Sequence, residues 1–300
     1  MGEAVHRLLG ATSKAVKWRK GHSDAVTGEL RHGVAEHSLD TDEHCGYRVA
    51  RSEFASSDTA VSAPGEIAGG RRPDAPLLVA DELDTMLGIE ATWGNMVEPN
   101  RTFEMWARSP DGTPRPPVNR DAVLSCWDLI LEAGVRSGVL EHADIRRMYE
   151  WFPLNEPSNW YRQHGGKVSE SIQDDSDAWG ERFKRMLAPH GLQLFTPGDH
   201  LCPQPRRGDL IVWATEEYPL THVGVFTGRF VGEGSSRSPE VYTFWPPPGN
   251  FDMHEGSWAT VTALKTASAK ELTDYMVDPP PGSNADRFTS PVLYFARGPW

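Results

Sequence analysis

A serine followed directly by a cysteine, Ser125 and Cys126, precedes a stretch with the pattern of a helix. Asp128 stands three residues after Ser125, the spacing of a capping box, so Cys126 is predicted to be the first helical residue. Unpaired backbone N–H groups and the positive end of the helix dipole favour an anion at that position. A thiol placed there beside an imidazole can have its pKa lowered from about 8.5 to between roughly 3.5 and 7.5. The predicted chemistry is nucleophilic attack by a thiolate.

A buried structural cysteine is the alternative, because cysteine is among the residue types most often buried and Trp127 beside it is typical of a core. Cys126 therefore needs a partner before it indicates catalysis. His222 is the candidate, because it opens an apolar stretch after a polar loop that contains Glu216 and Glu217. An imidazole at the mouth of a hairpin is expected to stay near solvent and to titrate close to neutral pH.

These two residues must be carried by elements that bring them together. Helical patterns begin at Leu77, continue from Cys126 to Arg146, and return over residues 177–191. Strand-like stretches follow at residues 209–213, 222–228 and 241–245, and the first two are predicted to form an antiparallel hairpin. The closing residues, PVLYFARGPW, are expected to add an edge strand. Helices followed by consecutive strands predict an α+β domain with an antiparallel sheet.

A cysteine at a helix start, followed downstream by GDLIVW and then by HVGVFTG, resembles the NlpC-type cell-wall endopeptidases and related papain-like cysteine enzymes. The resemblance covers roughly residues 115–250 and implies a papain-like fold in which N-terminal helices pack on an antiparallel sheet. It also implies Cys126 as the nucleophile and His222 as the general base. Ser125-Cys126-Trp127 differs from the common Asp-Cys-Ser of the family and is closer to a Cys-Trp variant of toxin-like proteins.

The residue that would orient the histidine is not fixed by the sequence, because VYTFWPPPGN stands where cell-wall members often have a second histidine. We rank Asn250 and Glu240 first. The other candidates within reach are Thr243, Asp252 and His254. The tryptophans expected to line a substrate groove are Trp127, Trp213 and Trp245, although packing in a core is the commoner role of tryptophan.

The expected reaction is acyl transfer through an acyl-enzyme, which makes the chain a cysteine-dependent hydrolase, either a peptidase or an amidase. Its expected substrate is a peptide, peptidoglycan or a protein. Related reactions on the same fold are those of a protein deamidase, a transglutaminase or an acyltransferase, and a catalytically inactive binding module is the alternative from another class. No cofactor or metal is expected, because the following residues match no zinc-site spacing: Asp42, His44, Cys45, His200 and Cys202.

Charge and composition limit the classes of partner that are expected. A formal net charge of −12 argues against a general nucleic-acid binder, and no apolar stretch approaches the roughly 20 residues of a membrane span. Residues 1–75 are predicted to be an extension with a basic amphipathic helix and a polar linker, and residues 76–300 the catalytic domain. That helix either docks on a delivery or immunity partner or caps the domain. The chain is expected to be cytoplasmic in its producer and exported as an effector or toxin without a cleaved signal peptide.

Overall fold

The computed structural model describes residues 72–94, 101–152, 170–196, 203–215, 220–234, 237–245, 260–278 and 291–300, with only the backbone over 170–178. Most of its helices precede a run of six consecutive strands. The helices are α1 (Ala75–Met86), α2 (Thr102–Ala107), α3 (Cys126–Arg136), α4 (His142–Trp151), α5 (Glu170–Leu187) and α6 (Ala269–Val277). The strands are β1 (Glu90–Trp93), β2 (Val123–Leu124), β3 (Gln193–Phe195), β4 (Leu210–Ala214), β5 (His222–Val231), β6 (Ser238–Thr243), β7 (Thr260–Ala263), β8 (Lys265–Ser268) and β9 (Val292–Ala296).

The strands form two sheets. The larger has the order β3-β9-β4-β5-β6-β8, and every neighbouring pair in it is antiparallel. The smaller has the order β2-β1-β7 and contains one parallel pair, β1 with β2. Helices combined with mainly antiparallel sheets confirm the predicted α+β class. The prediction that the closing residues form an edge strand is wrong, because β9 is hydrogen-bonded to β3 on one side and to β4 on the other.

The predicted hairpin of β4 and β5 is confirmed, and its register pairs Trp213 with His222. The turn that starts β4 contains Gly208 at a φ of +86°, a left-handed conformation that glycine adopts without strain. The next residue, Asp209, accepts a hydrogen bond from the Arg206 N–H through its carboxylate at 2.7 Å. Every residue of β4 is buried, as are the first six of β5, so His222 lies at a buried end of the hairpin.

Helix α3 lies at the centre of the described fold. It packs against α1 and against β5, and its first nine residues are all buried. Trp127 makes an edge-to-face contact with Phe183 of α5 at 4.9 Å between ring centroids, and it stacks with Trp300 at 6.5 Å. These contacts place the start of α3 inside the core. Residues 1–71 lie outside the described part, so the domain boundary near residue 75 remains a prediction.

Candidate functional site

The start of α3 agrees with its sequence. The Ser125 hydroxyl accepts a hydrogen bond from the Asp128 N–H at 3.1 Å, and the Asp128 carboxylate accepts one from the Ser125 N–H at 2.7 Å. Ser125 keeps extended backbone dihedrals, as an N-cap residue does, and Cys126 is the first helical residue. The predicted capping box is therefore confirmed, and with it the position of the thiol at a helix N-terminus.

A buried ionic network, which sequence reasoning did not predict, holds this helix start. The Arg101 Nε donates to the Asp128 carboxylate at 2.8 Å, and the same guanidinium pairs with Glu104 at 2.7 Å. The Tyr149 hydroxyl donates to the other oxygen of Asp128. Arg101 and Asp128 are completely buried. Burial alone would lower the pKa of Arg101, but the charges of Asp128 and Glu104 outweigh it and the pKa is raised.

The Cys126 thiol is 5% exposed and is held in its protonated form. Burial raises its pKa to about 11, and the Asp128 carboxylate also raises it. Backbone hydrogen bonds from Val223, Trp127 and Cys126 itself act in the opposite direction, because N–H groups stabilise a thiolate. The predicted lowering of the thiol pKa is therefore wrong for this structure. Desolvation outweighs the helix N-terminus, and the nearby carboxylate is an anion rather than the expected cation.

His222 is also buried, at 1% exposure, and is held neutral. Its Nε2 lies 2.8 Å from the Thr243 hydroxyl oxygen, whereas its Nδ1 is buried and has no hydrogen-bond partner in the described part of the chain. Burial and, to a smaller extent, the charge of Lys265 together lower the pKa of His222 to about 3. The expectation of a solvent-facing imidazole that titrates near neutral pH is wrong, because the aromatic residues around the hairpin mouth exclude water from it.

Two of the three predicted groove tryptophans enclose this imidazole. The Trp245 ring stacks on it at 5.1 Å between centroids, and the Trp213 ring lies at 5.3 Å in a tilted arrangement. The Trp213 indole N–H donates to the Thr273 hydroxyl of α6 at 3.0 Å. Trp127 and Trp213 are fully buried and Trp245 nearly so, so in this structure they wall the site and pack the core rather than face a substrate.

The residue that contacts the His222 imidazole is not one of the two that were ranked first on the sequence. Thr243 contacts the histidine, whereas the Glu240 carboxylate accepts hydrogen bonds from Thr227 at 2.9 Å and from the Arg229 Nε at 2.7 Å. Glu240 is thus engaged away from His222, and its ranking as the orienting residue is corrected to Thr243. Asn250 lies outside the described residues, as do Asp252 and His254. The signal that could have selected Thr243 is the β5–β6 register, which the sequence does not reveal because a bulge interrupts it after Phe226.

Cys126 and His222 lie in the same region without a direct hydrogen bond. Both residues are described, and no hydrogen bond joins the sulfur to the imidazole. They are linked through β5, because Val223, whose backbone contacts the thiol, directly follows His222. The arrangement is a neutral thiol and a neutral imidazole with one free nitrogen, not the predicted thiolate–imidazolium pair.

The described residues contain no group of histidine, cysteine, aspartate or glutamate side chains that could hold a metal ion. The five residues weighed as zinc ligands all lie outside the described part. Among the described helices, none has an apolar stretch long enough to cross a membrane. Comparison with known proteins gave no match to a family model, to a curated protein or to a solved structure.

Proposed function

We propose that the chain is a cysteine-dependent hydrolase, a peptidase or amidase, in which Cys126 is the nucleophile and His222 the general base. The observation that carries this proposal is the His222 Nδ1, a buried nitrogen without a partner among the described residues. In the tautomer whose Nε2 carries the proton and donates to Thr243, Nδ1 is the nitrogen able to take a proton. The next residue, Val223, contacts the Cys126 thiol through its backbone. A base with a free nitrogen beside a helix-initial thiol is the pairing that nucleophilic catalysis requires.

Because both groups are neutral at rest, the proton must move during the attack. The Cys126 sulfur forms a bond to the carbonyl carbon while its proton passes to the His222 Nδ1. The imidazolium then protonates the leaving amine, the C–N bond breaks, and water resolves the acyl-enzyme. Backbone N–H groups of Cys126 and Trp127 are available to stabilise the oxyanion. The reaction requires the sulfur to reach hydrogen-bond distance of Nδ1, a contact that has to form when a substrate or another electrophile approaches the sulfur.

The test is the pH dependence of iodoacetamide alkylation at Cys126, read by peptide mass spectrometry. We expect slow but measurable alkylation near neutral pH in the wild type, because the imidazole takes up the thiol proton, and a loss of about tenfold or more in His222→Ala. Thr243→Val should lose part of the rate and Thr243→Ser should keep it, because only the serine retains the hydroxyl beside Nε2. Equal rates in the wild type and in His222→Ala would contradict the assignment of the base.

The acyl acceptor defines the exact reaction, and product analysis separates the possibilities. Water as acceptor on a main-chain amide gives shorter peptides. Release of ammonia without chain cleavage indicates a protein deamidase, and incorporation of a labelled amine indicates a transglutaminase or another acyltransferase. Candidate substrates are peptides, peptidoglycan fragments and folded proteins, each compared with Cys126→Ala under the same conditions.

A catalytically inactive binding module is the second candidate, and a specific observation favours it. Burial raises the pKa of Cys126 to about 11 and lowers that of His222 to about 3, so neither is poised for proton transfer near neutral pH. If Cys126 in the folded protein is not alkylated, while the unfolded chain reacts at the rate of a free thiol, the binding module replaces the enzyme.

An effector or toxin role is proposed on the resemblance and on the basic segment near the N-terminus, which contains Arg7, Lys14, Lys17, Arg19 and Lys20. Expression of the wild type in candidate target cells should slow growth, and Cys126→Ala should abolish the effect. Growth that is unchanged in both the cytoplasm and the cell-wall compartment of such cells would count against this role.

A further inference from the structure

Lys265 lies beside the candidate site on a strand that the proposed mechanism does not use. In the β6–β8 register it is the cross-strand partner of Thr243, the residue that contacts the His222 Nε2. Side chains of a cross-strand pair project from the same face of a sheet. The Lys265 ammonium therefore shares the face on which Thr243 meets the imidazole.

Among the described residues, Lys265 is the charged side chain that acts on the pKa of His222, after the larger effect of burial. Among the described residues no carboxylate forms an ion pair with Lys265, whereas Lys270 pairs with Asp274 at 2.6 Å. The charge of the other nearby ionised group, Asp128, is compensated by Arg101 at 2.8 Å. In a chain with a net charge of −12, a cation that no described carboxylate compensates favours the approach of an anion.

We propose that Lys265 selects acyl donors that carry a carboxylate close to the reacting carbonyl group. The inference rests on the proposed function, because it assigns specificity to the same Cys126–His222 site. A carboxylate on the substrate would approach the ammonium as the carbonyl approaches the sulfur. Lys265 is thus a specificity residue rather than a catalytic one.

The test compares two alkylating agents of nearly equal size, anionic iodoacetate and neutral iodoacetamide. In both reactions the Cys126 sulfur displaces iodide, forming a sulfur–carbon bond, and the thiol proton is released to buffer. The measured quantity is the iodoacetate-to-iodoacetamide rate ratio. We expect this ratio to fall by roughly fivefold in Lys265→Gln, the order expected for one partly screened charge, and to fall in the wild type as salt is added. Lys265→Arg should keep the ratio, because it keeps the charge.

Lys270→Gln is the matched control, because it removes a lysine from the helix that follows β8 without approaching the site. Its ratio should equal that of the wild type. A ratio that is unchanged in Lys265→Gln, in a protein whose Cys126 is alkylated by both agents, overturns the inference and leaves the proposed function intact. Failure of both agents to alkylate folded wild-type Cys126 instead overturns the proposed function, and the inference with it.

Discussion

At the scale of single residues, burial decides the charge of both candidate catalytic groups. Water stabilises a thiolate and an imidazolium, and the core around Cys126 and His222 removes that stabilisation. At the sulfur, three backbone N–H groups offset only part of the loss, and at the imidazole the charge of Lys265 adds to it. The folded chain therefore keeps a proton on the thiol and keeps the imidazole unprotonated over the neutral range.

The burial of His222 predicts how the free energy of unfolding depends on pH. Because the pKa of His222 is lowered from 6.5 to about 3, its contribution to stability is present above pH 6.5 and is lost as the pH falls towards 3. We expect the free energy of unfolding to fall less steeply across this range in His222→Gln, with a difference of up to about 4 kcal/mol. Urea unfolding at several pH values measures it. Cys126→Ser is the control, and parallel acid limbs in all three proteins would show that His222 is accessible to protons.

At the scale of elements, the start of α3 is fixed by groups from three other helical regions. Arg101 precedes α2, Tyr149 belongs to α4, and the Arg101 guanidinium lies over the Trp179 ring of α5 at 5.9 Å. Arg101 and Tyr149 bind Asp128, which also caps the helix, and Trp179 contacts Arg101. The position of Cys126 thus depends on a buried carboxylate whose charge must stay compensated.

Replacement of Arg101 should lower the free energy of unfolding far more than replacement of an exposed arginine. Arg101→Gln leaves the Asp128 carboxylate buried without its cation, which is expected to lower the free energy of unfolding by about 3 to 5 kcal/mol. Ser125→Ala, which loses only the cap, should cost about 1 kcal/mol. Arg146→Gln is the control, because its partner Asp111 is largely exposed, and it should cost less than about 1 kcal/mol. Equal costs for Arg101→Gln and Arg146→Gln in urea unfolding would refute the role of the network.

The elements show what the sequence can and cannot predict. Local spacing was sufficient for the start of α3 and for the β4–β5 hairpin, because a capping box and a turn depend on residues close in the chain. The buried role of Arg101 was not predictable, because arginine is mostly exposed and its partner Asp128 is 27 residues away. Thr243 was not ranked first because its partner is also distant in the chain. Its contact with His222 depends on a register that the bulge in β5 shifts.

At the scale of the whole described fold, α1 is held to the larger sheet by close contact at the start of β4. Gly208 has no room for a side chain, because a Cβ there would lie 2.1 Å from the carbonyl oxygen of Pro76. Beside it, the Arg207 guanidinium donates to Asp81 at 2.8 Å and to Asp84 at 2.7 Å. The Tyr242 hydroxyl also donates to Asp84, at 2.6 Å. This contact brings together residues that lie more than a hundred positions apart in the sequence.

A pair of glycine substitutions isolates this contact. Gly208 and Gly112 have nearly equal φ values, +86° and +82°, so alanine strains the backbone similarly at both. Only at Gly208 would the new methyl group collide with neighbouring atoms, since nothing lies within 4 Å at Gly112. We expect Gly208→Ala to lower the free energy of unfolding by about 1 to 3 kcal/mol more than Gly112→Ala does, as measured by thermal or urea unfolding. Similar costs would show that α1 can move away from the sheet without penalty.

The interior position of β9 has a consequence for how the protein is made. This strand, Val292–Ala296, lies between β3 and β4, whose residues are translated about a hundred and about eighty residues earlier. A chain emerging from the ribosome therefore carries two unpaired strand edges over roughly the last hundred residues of its synthesis, and β3 joins the larger sheet only when the codons near residue 296 have been read. A truncated chain would lose the strand that unites the sheet, and a chaperone that binds exposed strand edges would find its target during translation rather than after it.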